Sequence, residues 1–133
     1  ELNETQLDTP YRDGGWTIRQ VVHHVADSHI NAFTRIKLIL TEDYPTLRPY
    51  DQDRWAELPD TLTLPIEVSL RLLHSLHERM ATVVETAPDE AWSRMAYHPE
   101  NGDMSFAEVV RNYAGHGKHH ADQILGLRNR MGW

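Results

Sequence analysis

The stretch Ser105-Phe106-Ala107-Glu108-Val109-Val110-Arg111-Asn112-Tyr113-Ala114-Gly115-His116-Gly117-Lys118-His119-His120-Ala121-Asp122-Gln123-Ile124-Leu125-Gly126-Leu127-Arg128-Asn129-Arg130-Met131 decides the fold. It opens on a capping box: Ser105 accepts from the first turn while Glu108 reaches back, with Met104 and Val109 as the flanking staple. Advancing by ~100° per residue, Phe106, Val109, Val110, Tyr113, Gly117, His120, Ile124, Leu127 and Met131 fall on one stripe. That is one long amphipathic helix, and it carries histidines on its apolar side.

Working outward, the same device starts a second helix. Thr17 and Gln20 form a capping box between Trp16 and Val21, followed by an inward stripe through Ile18, Val21, Val25, His29, Ile36 and Leu40. Leu64-Pro65 with Glu67 starts a third, whose stripe is Ile66, Leu70, Leu73, His77, Met80 and Val84. The spacing predicts long helices over about 17–42, 65–86 and 105–130 of a single domain, residues 1–133, and an all-α helical bundle. The proline-bearing connection 43–64 is long for a bundle loop and is expected to cover something. Residues 97–103, centred on Asn101-Gly102, are expected to form a small hairpin or turn. The chain opens on Glu1 and an inter-helix-like loop, Asp8–Gly15, so a leading helix is expected to be missing.

Composition narrows the function classes. The 133 residues carry 13 Lys+Arg against 20 Asp+Glu, a net charge of −7, which argues against nucleic acid or an anionic membrane as partner. The absence of cysteine removes disulfide scaffolds, zinc ribbons and thiol nucleophiles. No apolar run approaches the ~20 residues of a membrane span.

Nine histidines remain to be explained. His116 and His120 are i and i+4 on a helix, so both rings leave one face with Cβ atoms ~6 Å apart, and two ring nitrogens there can reach one cation. In His23-His24-Val25-Ala26-Asp27-Ser28-His29, periodicity sends His29 into the core and His24 to its shoulder. Either can supply a third ligand, and the pattern does not choose. His23 and Asp27 fall opposite and read as a solvated pair, while His77 is a further inward ring. Neither a di-iron Glu-x-x-His pair nor a zincin His-Glu-x-x-His motif is present. What remains is a three-histidine site fed by two helices, with coordination positions left open as in catalytic metal sites.

Asp8–His24 followed by Ala26–His29, Arg48-Pro49-Tyr50-Asp51 with Trp55, Leu76-His77, Tyr97-His98-Pro99, the His116–His120 cluster and Arg130-Met131-Gly132-Trp133 together closely resemble the YfiT-type metal-dependent hydrolases of the DinB-like superfamily. The resemblance runs in order over essentially the whole chain. It implies a DinB-like up-down four-helix bundle, and the family's N-terminal helix has no counterpart here. It further implies one nickel or zinc ion held by His24, His116 and His120, a cytoplasmic location and a homodimer. The chain departs from the family in a less histidine-rich final cluster, with Lys118 inside it and Gln123 downstream.

The leading expectation is hydrolysis of a small, uncharged or weakly polar substrate by a metal-activated water. His77, Tyr97 and Arg48, with His98, Tyr50 and Asp51, are candidates to line the site or orient its ligands. No side chain is assigned as the catalytic group. Superfamily relatives suggest an alternative, transfer of a low-molecular-weight thiol such as bacillithiol to an electrophile. A non-catalytic metal-binding bundle is the third reading; it expects His77 as a fourth ligand.

Overall fold

The structure, a computed structural model, describes residues 1–133. Its order is α1 (Glu4–Leu7), α2 (Ile18–Thr41), α3 (Gln52–Trp55), α4 (Pro59–Thr63), α5 (Ile66–Glu85), a 3-10 turn (Asp89–Ser93), β1 (Met95–His98), β2 (Gly102–Ser105) and α6 (Phe106–Met131). Both expected capping boxes form, Thr17 with Gln20 and Ser105 with Glu108. Pro65 sits at the cap of α5 rather than inside its first turn. At the far end of α6, Gly132 adopts φ +71°, the left-handed conformation that ends a helix without a Cβ penalty.

The chain is not wholly α-helical. β1 and β2 pair antiparallel in the register Met95–Ser105 through His98–Gly102, with Gly102 at φ +74° turning the chain. A third extended segment lies alongside, because Leu47 N–H donates to Tyr97 O at 2.7 Å and Tyr97 N–H to Pro45 O at 2.9 Å. The hairpin gives the loop after α2 a backbone edge to bind, and so anchors the buried Leu47.

α2 is the central rod. It packs against both α5 and α6, and also meets α4 and α1, whereas α5 and α6 contact each other only slightly. Two apolar clusters form along it. One gathers Ile36, Ile39, Leu47, Ala96, Phe106 and Val109; the other gathers Leu7, Ile18 and Leu127. Because α2 and α6 run antiparallel, the middle of each helix falls between these clusters, and that is where the histidines lie. At the second cluster, buried Arg19 binds Asp8 at 2.7 Å, Glu4 at 2.5 Å and the Leu64 carbonyl at 3.0 Å, tying the N-terminal turn and the loop to α2.

The central position of α2 corrects one expectation. His23 is 5% exposed, its Nδ1 2.7 Å from Ser69 Oγ and its Nε2 3.0 Å from the Leu64 carbonyl. It is not half of a solvated pair with Asp27. Asp27 itself is half-buried, and its carboxyl is raised to about 6, first by burial and then by Asp60. A period-3.6 reading assumes one wet face; the 43–64 connection folds over the face that reading left to solvent.

Phe106 is fully buried in the larger cluster. Phe106→Ala is expected to lower unfolding free energy by about 3–5 kcal/mol, measured by urea denaturation. A loss below about 1 kcal/mol would show that this cluster does not hold the helices together.

Candidate metal centre

Facing α2 and α6 bring three imidazoles together. One ring nitrogen from each of His24, His116 and His120 lies within 4.8 Å of the others. His116 Nε2 and His120 Nε2 are 3.2 Å apart. Two nitrogens on a tetrahedral zinc, each at about 2.0–2.1 Å, would stand about 3.3–3.4 Å apart, so this pair is already at ligand spacing. His24 closes the triangle, its ring centroid 4.8 Å from that of His120 and 5.4 Å from that of His116.

The outer nitrogens are held as well. His120 Nδ1 lies 2.8 Å from Gln123 Oε1, which can only accept, so Nδ1 carries the proton and neutral His120 presents a bare Nε2 lone pair inward. The Gln123 amide is oriented in turn by its Nε2, 3.2 Å from His119 Nε2. Behind His116, Nδ1 meets His29 Nε2 at 3.2 Å, and His29 Nδ1 meets His77 Nε2 at 2.6 Å. Three neutral rings in series let His116 donate outward from Nδ1 and leave its Nε2 bare. Such hydrogen bonds fix the tautomer of a metal-ligating histidine.

His24, His29, His116 and His120 are held toward the neutral form. His24 is lowered to about 3, and His29 and His116 to about 4, in each case first by burial and then by neighbouring histidines. His120 is lowered by burial too, with Gln123 opposing. Neutral imidazoles are what a metal requires. One Nε2 proton fits between the two nitrogens of the neutral rings, and a divalent ion can replace it once His116 is protonated on Nδ1, so the donor set fits a divalent ion.

One side of the trio is open. A cavity of about 390 Å³ borders all three rings and is walled by Trp16, Gln52 and Gln123. Trp16 packs on His24 with ring centroids 4.6 Å apart. A second, larger cavity reaches His116 from beyond Gln52 and Asp53, which line both.

Other candidates fall elsewhere. His29, one of the two rings left open by periodicity, stands behind His116 rather than in the trio. His77 is exposed and bound to His29, so it supports a supporting ring instead of serving as a fourth ligand. Tyr97 lies on the outward side of β1, and its backbone does the binding, to Pro45 and Leu47. Arg48 contributes its carbonyl to Arg35 and does not line either cavity. His98, Tyr50 and Asp51 line the larger cavity. A Cβ at Gly117 would meet only His29 Cε1 at 3.7 Å, an ordinary contact, so space does not demand glycine there. Gln123 was legible three residues beyond His120 on the same helix face, but only as an anomaly in the cluster. Arg35 and Trp16 had no local signal, because their roles depend on what folds beside them.

Residues 1–124 match the family model of the DinB superfamily. A protein of Bacillus cereus strain 03BB102, named "putative metal-dependent hydrolase", is 50% identical over all 133 residues, which span 76% of its length. A counterpart of the same description from Bacillus thuringiensis subsp. konkukian strain 97-27 matches with the same identity and coverage. Among solved structures, YfiT from Bacillus subtilis, described as "a probable metal-dependent hydrolase with an unusual four-helix bundle topology", superposes with a TM-score of 0.96 at 47% identity, over 99% of this chain and 76% of YfiT. The family match and these likenesses show that the chain belongs to the DinB superfamily.

Proposed function

We propose that the chain is a metal-dependent hydrolase of a small molecule, with His24, His116 and His120 holding one divalent ion, nickel or zinc. The observation that carries this reading is the pair of Nε2 atoms at 3.2 Å, backed by Gln123 and His29 and bordered by a cavity rather than by a fourth side chain. A divalent ion bound there supplies a Lewis acid that lowers the pKa of water to about 7 and polarises a carbonyl. The relatives' shared name supports hydrolysis as the reaction class.

The chain's own residues do the rest. Gln123 holds His120 in one tautomer, and the His29–His77 pair orients His116 and can accept its outward proton when the ion enters. Trp16 covers His24 and keeps water off that ring. Gln52 and Asp53, common to both cavities, stand where a substrate passes from the larger space to the trio. The imidazole donors suit nickel and zinc alike. No helix is long and apolar enough to cross a membrane; the cytoplasmic homodimer implied by the family resemblance belongs to this proposal.

Metal analysis of variants tests the ligand set. His24→Ala, His116→Ala and His120→Ala are each expected to abolish stoichiometric zinc or nickel binding, and His119→Ala to retain it. Gln123→Ala and His29→Ala are expected to weaken affinity about 10–100-fold. His23→Ala should keep the metal but cost about 1–3 kcal/mol of stability, because it strips Ser69 and the Leu64 carbonyl of a buried partner. Equal losses across ligands and non-ligands would overturn the assignment.

Acidity gives a second check, on the metal-free protein. His24, His29 and His116 have folded-state values of about 3, 4 and 4 against an ordinary 6.5, so between these limits the unfolded chain binds more protons. Stability is therefore full above about pH 6.5 and falls as pH drops toward 4. Asp27, raised from 3.8 to about 6, acts in the opposite direction over its own window, but it is one group against three. The thermal midpoint is expected to be lower at pH 5 than at pH 7.5. A midpoint that rises on acidification would contradict the neutral buried cluster.

Activity is tested with a panel of small esters and amides, with and without metal. Metal-dependent hydrolysis, lost in His120→Ala, is the expected result. Conjugation of an added thiol to an electrophile with no hydrolysis at all would replace this reading.

A further inference from the structure

The larger cavity, about 660 Å³, runs from His116 outward between the α2–α3 connection and the turn after β1. Arg35 lines it from α2. Its Nη1 donates to Tyr113 Oη at 2.7 Å and its Nη2 to the Arg48 carbonyl at 2.9 Å, which leaves three of the five N–H groups of a guanidinium without a protein acceptor. No carboxylate lies within ion-pair distance of it. Its two bonds fix the fork in place, so the cation is pre-oriented and not neutralised.

His98 stands beside it, 4% exposed, on the inward side of β1. Glu100 N–H donates to His98 Nδ1 at 3.2 Å. Burial and the nearby Arg35 charge keep the ring neutral, so its remaining proton is on Nε2. That N–H has no protein partner and the ring faces the same cavity. A donor on a largely buried ring, open only to a space that also holds an unpaired guanidinium, suits an anionic acceptor there.

The cavity's outer rim has the opposite sign. Asp51, Asp53 and Glu100 line it and are exposed. A polyanion would meet three carboxylates before reaching Arg35. One negative charge carried inward, on a body otherwise neutral or cationic, suits both ends.

We propose that the larger cavity is a carboxylate-recognition subsite, in which Arg35 and His98 Nε2 bind one carboxylate of the substrate and hold the rest of it toward His116. This departs from the uncharged substrate expected from sequence. It rests on the hydrolytic reading only for what happens at the His116 end; the binding itself does not depend on it.

Binding of benzoate, of its neutral isostere benzamide, and of inorganic phosphate is measured by calorimetry on both zinc-loaded and metal-free protein. Benzoate is expected to bind about tenfold or more tighter than benzamide in both forms, and tighter than phosphate. Arg35→Gln is expected to bring the benzoate preference to within about twofold of unity, and Arg35→Lys to retain part of it, since lysine keeps the charge but not the fork. Thermal melts of both variants report folding, and His98→Gln, which leaves Arg35 in place, is expected to reduce the preference by a smaller factor.

Equal binding of benzoate and benzamide by the wild type would overturn the subsite. So would a preference that survives Arg35→Gln, a preference seen only with zinc and indifferent to Arg35, or tighter binding of phosphate than of benzoate. A panel of esters that is not hydrolysed, with the benzoate preference intact, would count against the hydrolase and leave the subsite standing.

Discussion

Two imidazole nitrogens 3.2 Å apart, Nε2 of His116 and Nε2 of His120, are the constraint around which this molecule is arranged. In the metal-free rings, neutral His116 carrying its proton on Nε2 donates to the bare His120 Nε2; shifting that proton to Nδ1, toward His29, frees both nitrogens as ligands. The fold holds the pair in place regardless. Apolar clusters on either side, around Phe106 and around Ile18, clamp the ends of α2 and α6, and the histidines occupy the stretch between. Gln123 holds the His120 proton on Nδ1, and His29 gives His116 Nδ1 a partner in either tautomer.

The same arrangement explains why α2 carries so much. It is covered by α5, α6, α4 and the N-terminal turn, so its buried residues circle most of its circumference. His24 joins the trio and His29 supports it, both rings meeting His116 of α6. His23 joins a purely structural network with Ser69 and the Leu64 carbonyl. Three histidines within seven residues thus do three different things, decided by which neighbour each ring meets. The hairpin and the 43–64 connection close the larger cavity against Ser28 and Arg35 of α2 and Tyr113 and His116 of α6.

Much of this was readable locally. The two capping boxes placed the starts of α2 and α6, because the signal lies within four residues and needs no tertiary information. The i, i+4 spacing of His116 and His120 put both rings on one face for the same reason. Choosing between His24 and His29 was beyond periodicity: both are 4% exposed, and only their contacts with α6 separate a ring in the trio from one behind it. His23 was misread because a helix covered on several sides has no single wet face. Tyr97 and Arg48, expected near the site, contribute backbone groups instead, and Arg35 gained its place only when Tyr113 and the Arg48 carbonyl came to it from distant parts of the chain.

The arrangement is tested most directly by crystals of the zinc-loaded protein, with anomalous scattering recorded at the zinc edge. One peak is expected, about 2.0–2.1 Å from Nε2 of His116, Nε2 of His120 and a ring nitrogen of His24, with the cavity on its remaining side. A peak bound by His29 or His77, one closed by a fourth protein ligand, or no peak at the trio under saturating zinc would contradict it.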